Sequence, residues 1–142
     1  MRFFNRVAVP ENGFGVAFAA LLSLLSTSAA HAQIWVTNDD GPIGEYNTTT
    51  GAAINASLVS GLSDLRGLAV SGNDLFVANG SSVISEYNAT TGATIRASLV
   101  SGFSNVLNIA VTGNQLYVAD YGTNTIGEYN ATTGVPINAS LI

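Results

Sequence analysis

Cysteine is absent from this 142-residue chain, histidine occurs once, and charged residues make up only 9% of it. Without cysteine there is no disulfide, so stability rests on packing and hydrogen bonds. Cys-His nucleophile chemistry is excluded for the same reason. The single histidine, His31, lies near the N-terminus, in a stretch read below as a leader. Once that leader is removed, the chain has no Lys, His or Met, and its basic residues are Arg66 and Arg96. They face eight acids, so the charge of this part is 2 − 8 = −6. Nucleic acid and anionic lipid both need a basic surface and are excluded as expected partners. A Ser-His-Asp triad is excluded as well, and proton transfer near neutral pH would need a carboxylate with a strongly raised pKa.

What the N-terminus does contain is a secretory pattern: Arg2 and Arg6, an apolar stretch from Val16 to Leu25, and Ala30-His31-Ala32 as a small-x-small cleavage site. The stretch is shorter than the roughly 20 residues of a spanning helix, and Ser23, Ser26, Thr27 and Ser28 dilute it. Residues 1–32 are therefore expected to be a signal peptide, leaving 142 − 32 = 110 residues that start at Gln33. The expected location is secreted, periplasmic or cell-envelope, with membrane contact only through an uncleaved leader.

The rest of the chain repeats itself. Ile43-Gly44-Glu45-Tyr46-Asn47-Thr48-Thr49-Thr50-Gly51 returns at Ile84–Gly92 and at Ile126–Gly134, with tyrosines spaced 87 − 46 = 41 and 129 − 87 = 42 residues apart. Such a period, filled with short apolar runs and Gly/Asn turns, marks stacked units that cannot bury their apolar faces alone. In the unit from Leu107 to Leu141, strands are expected at Asn108–Thr112, Gln115–Asp120, Ile126–Asn130 and Val135–Leu141. Gly113-Asn114, Tyr121–Thr125 and Ala131–Gly134 are the turns between them. The run Gln115–Asp120 is apolar on both alternating faces, as in a strand covered on both sides. The last run alternates Ile137, Ala139 and Leu141 with Asn138 and Ser140, as in a half-exposed outer strand.

Four short antiparallel strands per unit, repeated, specify an all-β protein built of β-propeller blades; a β-solenoid is the alternative architecture. Gln33–Asn38 aligns with Asp74–Asn79, the second strand of a unit, so residues 33–142 hold three strands of one blade and two full blades. A ring needs at least about four blades. The ring is thus incomplete, and two outcomes are expected from it: a fragment of a longer protein, or self-association through open blade faces.

The run Gly-Asn-x-Leu-(Phe/Tyr)-Val-Ala-(Asn/Asp), followed by Ile-x-Glu-Tyr-Asn-x-Thr-Thr-Gly, resembles the NHL-type repeats of exported bacterial propellers, similar to streptogramin-lyase-like and gluconolactonase-like proteins. The resemblance covers Gln33–Ile142. It implies the fold; activity is not implied, because such propellers host lyases, lactonases and non-catalytic binding proteins alike. Lyases of this kind use a histidine, and the only one here lies in the leader. Some exported members end in a Pro-Glu-Pro sorting segment with a membrane helix; none precedes Ile142.

Recurrence itself argues for structure over function. Glu45, Glu86 and Glu128 recur beside Tyr and Asn and are expected to make a structural hydrogen bond in every blade. The triplets beginning at Asn47, Asn55, Asn88, Asn130 and Asn138 match glycosylation acceptors because the turns recur. Asp39-Asp40 is the only acidic pair and is expected to be a solvated turn, so no metal site and no cofactor are expected. Positions that vary between units are the better candidates for binding. Asp64 and Arg66 become Asn105 and Leu107, followed by Asn108, in the loop entering a unit's first strand, and Asn79 becomes Asp120 at the end of its second. Asp64, Arg66, Asn79, Asn105, Asn108 and Asp120 are the expected ligand contacts beside the central opening. The expectation is a non-catalytic exported module that binds or scaffolds protein or polysaccharide at the cell envelope. The alternative is a piece of a propeller lyase or lactonase whose catalytic residues lie elsewhere.

Overall fold

The computed structural model describes residues 32–80 and 82–142, which form eleven strands and no helix. The expected leader falls outside the described residues except for Ala32. The first sheet holds β1 (Gln33–Val36), β2 (Ile43–Asn47) and β3 (Ala53–Val59). The second holds β4 (Leu65–Ser71), β5 (Asp74–Asn79), β6 (Val83–Asn88) and β7 (Thr94–Ser101). The third holds β8 (Val106–Thr112), β9 (Gln115–Asp120), β10 (Thr125–Asn130) and β11 (Pro136–Asn138). Each sheet is an antiparallel meander whose spatial order follows the chain. The three sheets are β-propeller blades stacked face to face, and the ring is not closed.

Two apolar clusters join the sheets. Ile43 and Leu58 of the first sheet meet Leu75, Val77 and Tyr87 of the second. Phe76, Ala78, Ile84 and Leu99 of the second meet Leu116, Val118 and Tyr129 of the third. Alternation along β5 sends Leu75 and Val77 to the leading face, toward the first sheet, and Phe76 and Ala78 to the trailing face. All four are buried, because β5 lies between two neighbours. The equivalent strand β9 differs from the expectation: Leu116 and Val118 are buried, whereas Tyr117 and Ala119 on its trailing face are only half-buried. That face has no described sheet beyond it. Across the first seam, the Trp35 Nε1–H donates to the Ala89 carbonyl at 3.1 Å.

The outer strands also depart from the alternation read in the sequence. Only Leu58-Val59 and Leu99-Val100, consecutive residues, are buried there. Register explains it: Ile84 pairs with Val100 and Glu86 with Arg96, so β7 carries extra residues between these pairs and its two-residue period is broken. Ile43–Val59 and Glu45–Asn55 show the same slip in the first sheet. In the third sheet the regular outer strand is short, but Leu141 and Ile142 return to pair with Ile126.

The Asn-x-Thr-Thr-Gly turns are built alike. The side-chain oxygens of Asn47, Asn88 and Asn130 each accept the N–H groups two and three residues on, which fixes the loop locally. Gly92 and Gly134 close these turns at φ +70° and +73°, and a Cβ there would lie 1.9 Å from the Leu58 carbonyl oxygen and 2.0 Å from that of Leu99. Glycine is required twice over, by the left-handed backbone and by the preceding sheet.

Candidate functional site

The six expected contact residues all fall at one end of the stack, where inner strands begin and second strands finish. Leu65 pairs with Asn79 and Val106 with Asp120, and a β-bulge follows each pair. The bulges turn Arg66 and its counterpart Leu107 outward, leaving both exposed on the inner strands. Arg66 Nε donates to Asp64 Oδ1 at 2.7 Å, with both side chains more than a third exposed. That hydrogen bond and the neighbouring charge raise the Arg66 pKa further above its ordinary value, so its cationic form is secure. Asp64 reaches this position with φ 53°, a conformation aspartate tolerates better than most side chains. Asn108 packs against Gly67 of the adjoining inner strand, where a Cβ would lie 2.8 Å from the Ile109 nitrogen.

Asp120 is held by backbone donors from both adjoining loops. It is 6% exposed, and its carboxylate accepts the backbone N–H groups of Ser104, Asn105 and Gly122 at 3.0, 2.8 and 3.1 Å. Burial acts to raise its pKa, but these donors and the Thr123 hydroxyl outweigh burial, and the group titrates below its ordinary value. The aspartate clamps the loop entering β8 to the loop leaving β9. Asn105 belongs to the same clamp through its backbone, and its side-chain Oδ1 is buried without a hydrogen-bond partner among the described residues.

Beside the clamp opens a cavity of about 260 Å³, of whose lining the sequence reading named Asp120 alone as a contact. Phe103, Asp120, Thr123, Thr125 and Tyr129 line it. Phe103 and Tyr129 meet edge to face, with ring centroids 5.5 Å apart and an interplanar angle of 79°. Burial, with the Asp120 charge adding to it, raises the Tyr129 pKa and keeps the phenol protonated. The wall thus offers three hydroxyls, those of Thr123, Thr125 and Tyr129, with a fixed carboxylate and aromatic edges. Among the described residues, no group of three or more His, Asp or Glu side chains is placed to hold a metal ion.

The recurring glutamates are buried in all three sheets, but their partners differ. Glu86 accepts from Arg96 Nη1 at 2.9 Å, and Arg96 also donates across the second seam to the Thr132 carbonyl. Glu128 instead accepts from Gln115 Nε2 at 2.6 Å. The repeat preserves the buried carboxylate and not one particular bond.

No protein-family model matches the sequence, and no curated protein matches it. Solved structures do share its fold. The chain is similar to the computationally designed Ika4 protein, at 19% identity and TM-score 0.57, covering 69% of this chain and 59% of that one. It is similar to a chain of the Nidogen/Laminin complex, at 16% identity and TM-score 0.62, covering 76% and 41% respectively. It also resembles the β-propeller domain of Myceliophteria thermophila Cps50 (Swd1), at 15% identity and TM-score 0.52, covering 75% and 38%. These likenesses show a β-propeller fold, and the chain spans well under two thirds of each partner's length.

Proposed function

We propose that the chain is an exported β-propeller module of the NHL-repeat kind that binds a neutral polysaccharide without chemically altering it. The cavity beside the Asp120 clamp carries this reading: hydroxyl, carboxylate and aromatic groups converge there, which suits sugar hydroxyls and the apolar faces of sugar rings. The same groups make poor catalysts. Asp120 is held ionised by backbone donors and is a weak base, and Tyr129 is held protonated. The charge of 2 − 8 = −6 on residues 33–142 also suits a neutral ligand better than an anionic one.

Calorimetric titration with a panel of neutral oligosaccharides tests this. At least one is expected to bind, and Thr123→Val and Thr125→Val are each expected to weaken it by about 1 kcal/mol, the worth of a neutral hydrogen bond. Failure of the whole panel to bind, or turnover of a bound sugar, would reject the reading, and turnover would support the lyase or lactonase alternative. Export is checked separately: mass spectrometry of the secreted protein is expected to find Gln33 at its N-terminus.

A further inference from the structure

The cavity beside the Asp120 clamp is divided into two rows. It lies on the leading face of the third sheet, where Val118 pairs with Gly127 and Asp120 with Thr125 on the neighbouring strand. Opposed residues stand about 5 Å apart, and successive rows on one face about 7 Å. One row is apolar and the next is polar. Val118 is 0% exposed and Gly127 is buried, so the apolar row forms floor, whereas Thr123 and Ala139 are exposed and mark the mouth. In the polar row, a carboxylate has about four acceptor positions, and backbone donors take three of those on Asp120. The Thr123 hydroxyl turns to the same carboxylate but also lies 2.8 Å from that of Thr125. A ligand N–H that takes the fourth position therefore lets Thr123 turn to Thr125, which releases the Thr125 hydrogen to a ligand carbonyl.

The second sheet shows what keeps the floor open. In the same register, Val77 pairs with Ser85 and Asn79 with Val83, so serine stands for Gly127, asparagine for Asp120 and valine for Thr125. Ser85 is 0% exposed, and its hydroxyl donates to the Ala97 carbonyl at 2.7 Å. Ala97 is the counterpart of Ala139. A Cβ at Gly127 would lie 2.7 Å from the Tyr129 ring, so a side chain there takes its space from the ring or from a ligand. Building on the sugar-binding reading of this cavity, and resting on it, we infer that the bound sugar carries an acetamido group, as an N-acetylhexosamine does. Its methyl lies against Val118 and Gly127, its N–H donates to Asp120, and its carbonyl accepts from Thr125. A plain hexose has only a hydroxyl at that position, which either faces the apolar row without a partner or leaves it unfilled.

Calorimetric titration of the full chain compares three β-1,4-linked tetramers: of N-acetylglucosamine, of glucosamine and of glucose. The acetylated tetramer is expected to bind about ten- to a hundred-fold more tightly than either of the others, the discrimination that a methyl-sized group in a fitted pocket provides. Gly127→Ser copies the residue that the second sheet accommodates, and it is expected to keep the β-sheet circular dichroism while lowering the acetylated tetramer to the affinity of the glucose tetramer. In the parent complex, proton magnetic resonance is expected to show the acetyl methyl in contact with the Val118 methyls, a readout that needs no variant. Binding of the glucose or glucosamine tetramer as tightly as the acetylated one overturns the acetamido assignment and leaves sugar binding in place. So does a preference for the acetyl group that Gly127→Ser does not reduce, or an acetyl methyl that contacts residues other than Val118. Failure of these three and of every other neutral sugar to bind rejects both the assignment and the reading beneath it.

Discussion

Asp120 and Glu86 are buried carboxylates with opposite responses to acid. The Asp120 pKa lies below its ordinary 3.8, so its contribution is present above that value and is lost as pH falls through the lower, folded value. Glu86 lies above its ordinary 4.5, because burial outweighs Arg96, so it costs stability once pH rises past that range and the cost is relieved as it protonates. Thermal melts across pH are expected to show Asp120→Asn removing the acid-labile component and costing about 1–3 kcal/mol near neutrality, as buried N–H groups lose a charged acceptor. Glu86→Gln is expected to gain relative to the parent as pH rises. Identical pH profiles for the parent and both variants would contradict these assignments. The sequence marked Asp120 as variable but did not disclose that its partners are backbone groups, since those donors arrive from loops whose approach depends on the stacked fold.

At the scale of elements, the turns and the second strands were legible residue by residue. β9 begins and ends where the sequence places it, because Gly113-Asn114 and the polar loop after Asp120 bracket an unbroken apolar run. β8 starts at Val106, earlier than Asn108, since the bulge beside Asp120 breaks the two-residue period on which the reading relied. The outer strands were misread for the same reason. Asn47, Asn88 and Asn130 make matching pairs of hydrogen bonds, so alanine at each is expected to cost a similar amount, about 1 kcal/mol, in chemical unfolding. Costs that diverge by several-fold would show that the turns are not equivalent. Gly92→Ala is expected to be far more damaging than any of them, because the added methyl meets a carbonyl that cannot withdraw.

Across the whole molecule, blade order and strand count were written in the repeat, whereas the cavity was not, because the loop before β8 brings Phe103 to Thr125 and Tyr129 only once the third sheet has folded. Repeat stacks derive stability from neighbour contacts, so the middle sheet, covered on both faces, is expected to hold its amides longest. Hydrogen exchange is expected to be slowest in β5 and β6, and slower protection in β1 or β10 would contradict the layering. The seam between the first and second sheets has one more property. Trp35 is the chain's sole tryptophan and is tied by its indole N–H to the second sheet. Its emission is therefore a built-in optical gauge of one joint, blind to the other, and it can time the parting of the first blade separately from the loss of the rest.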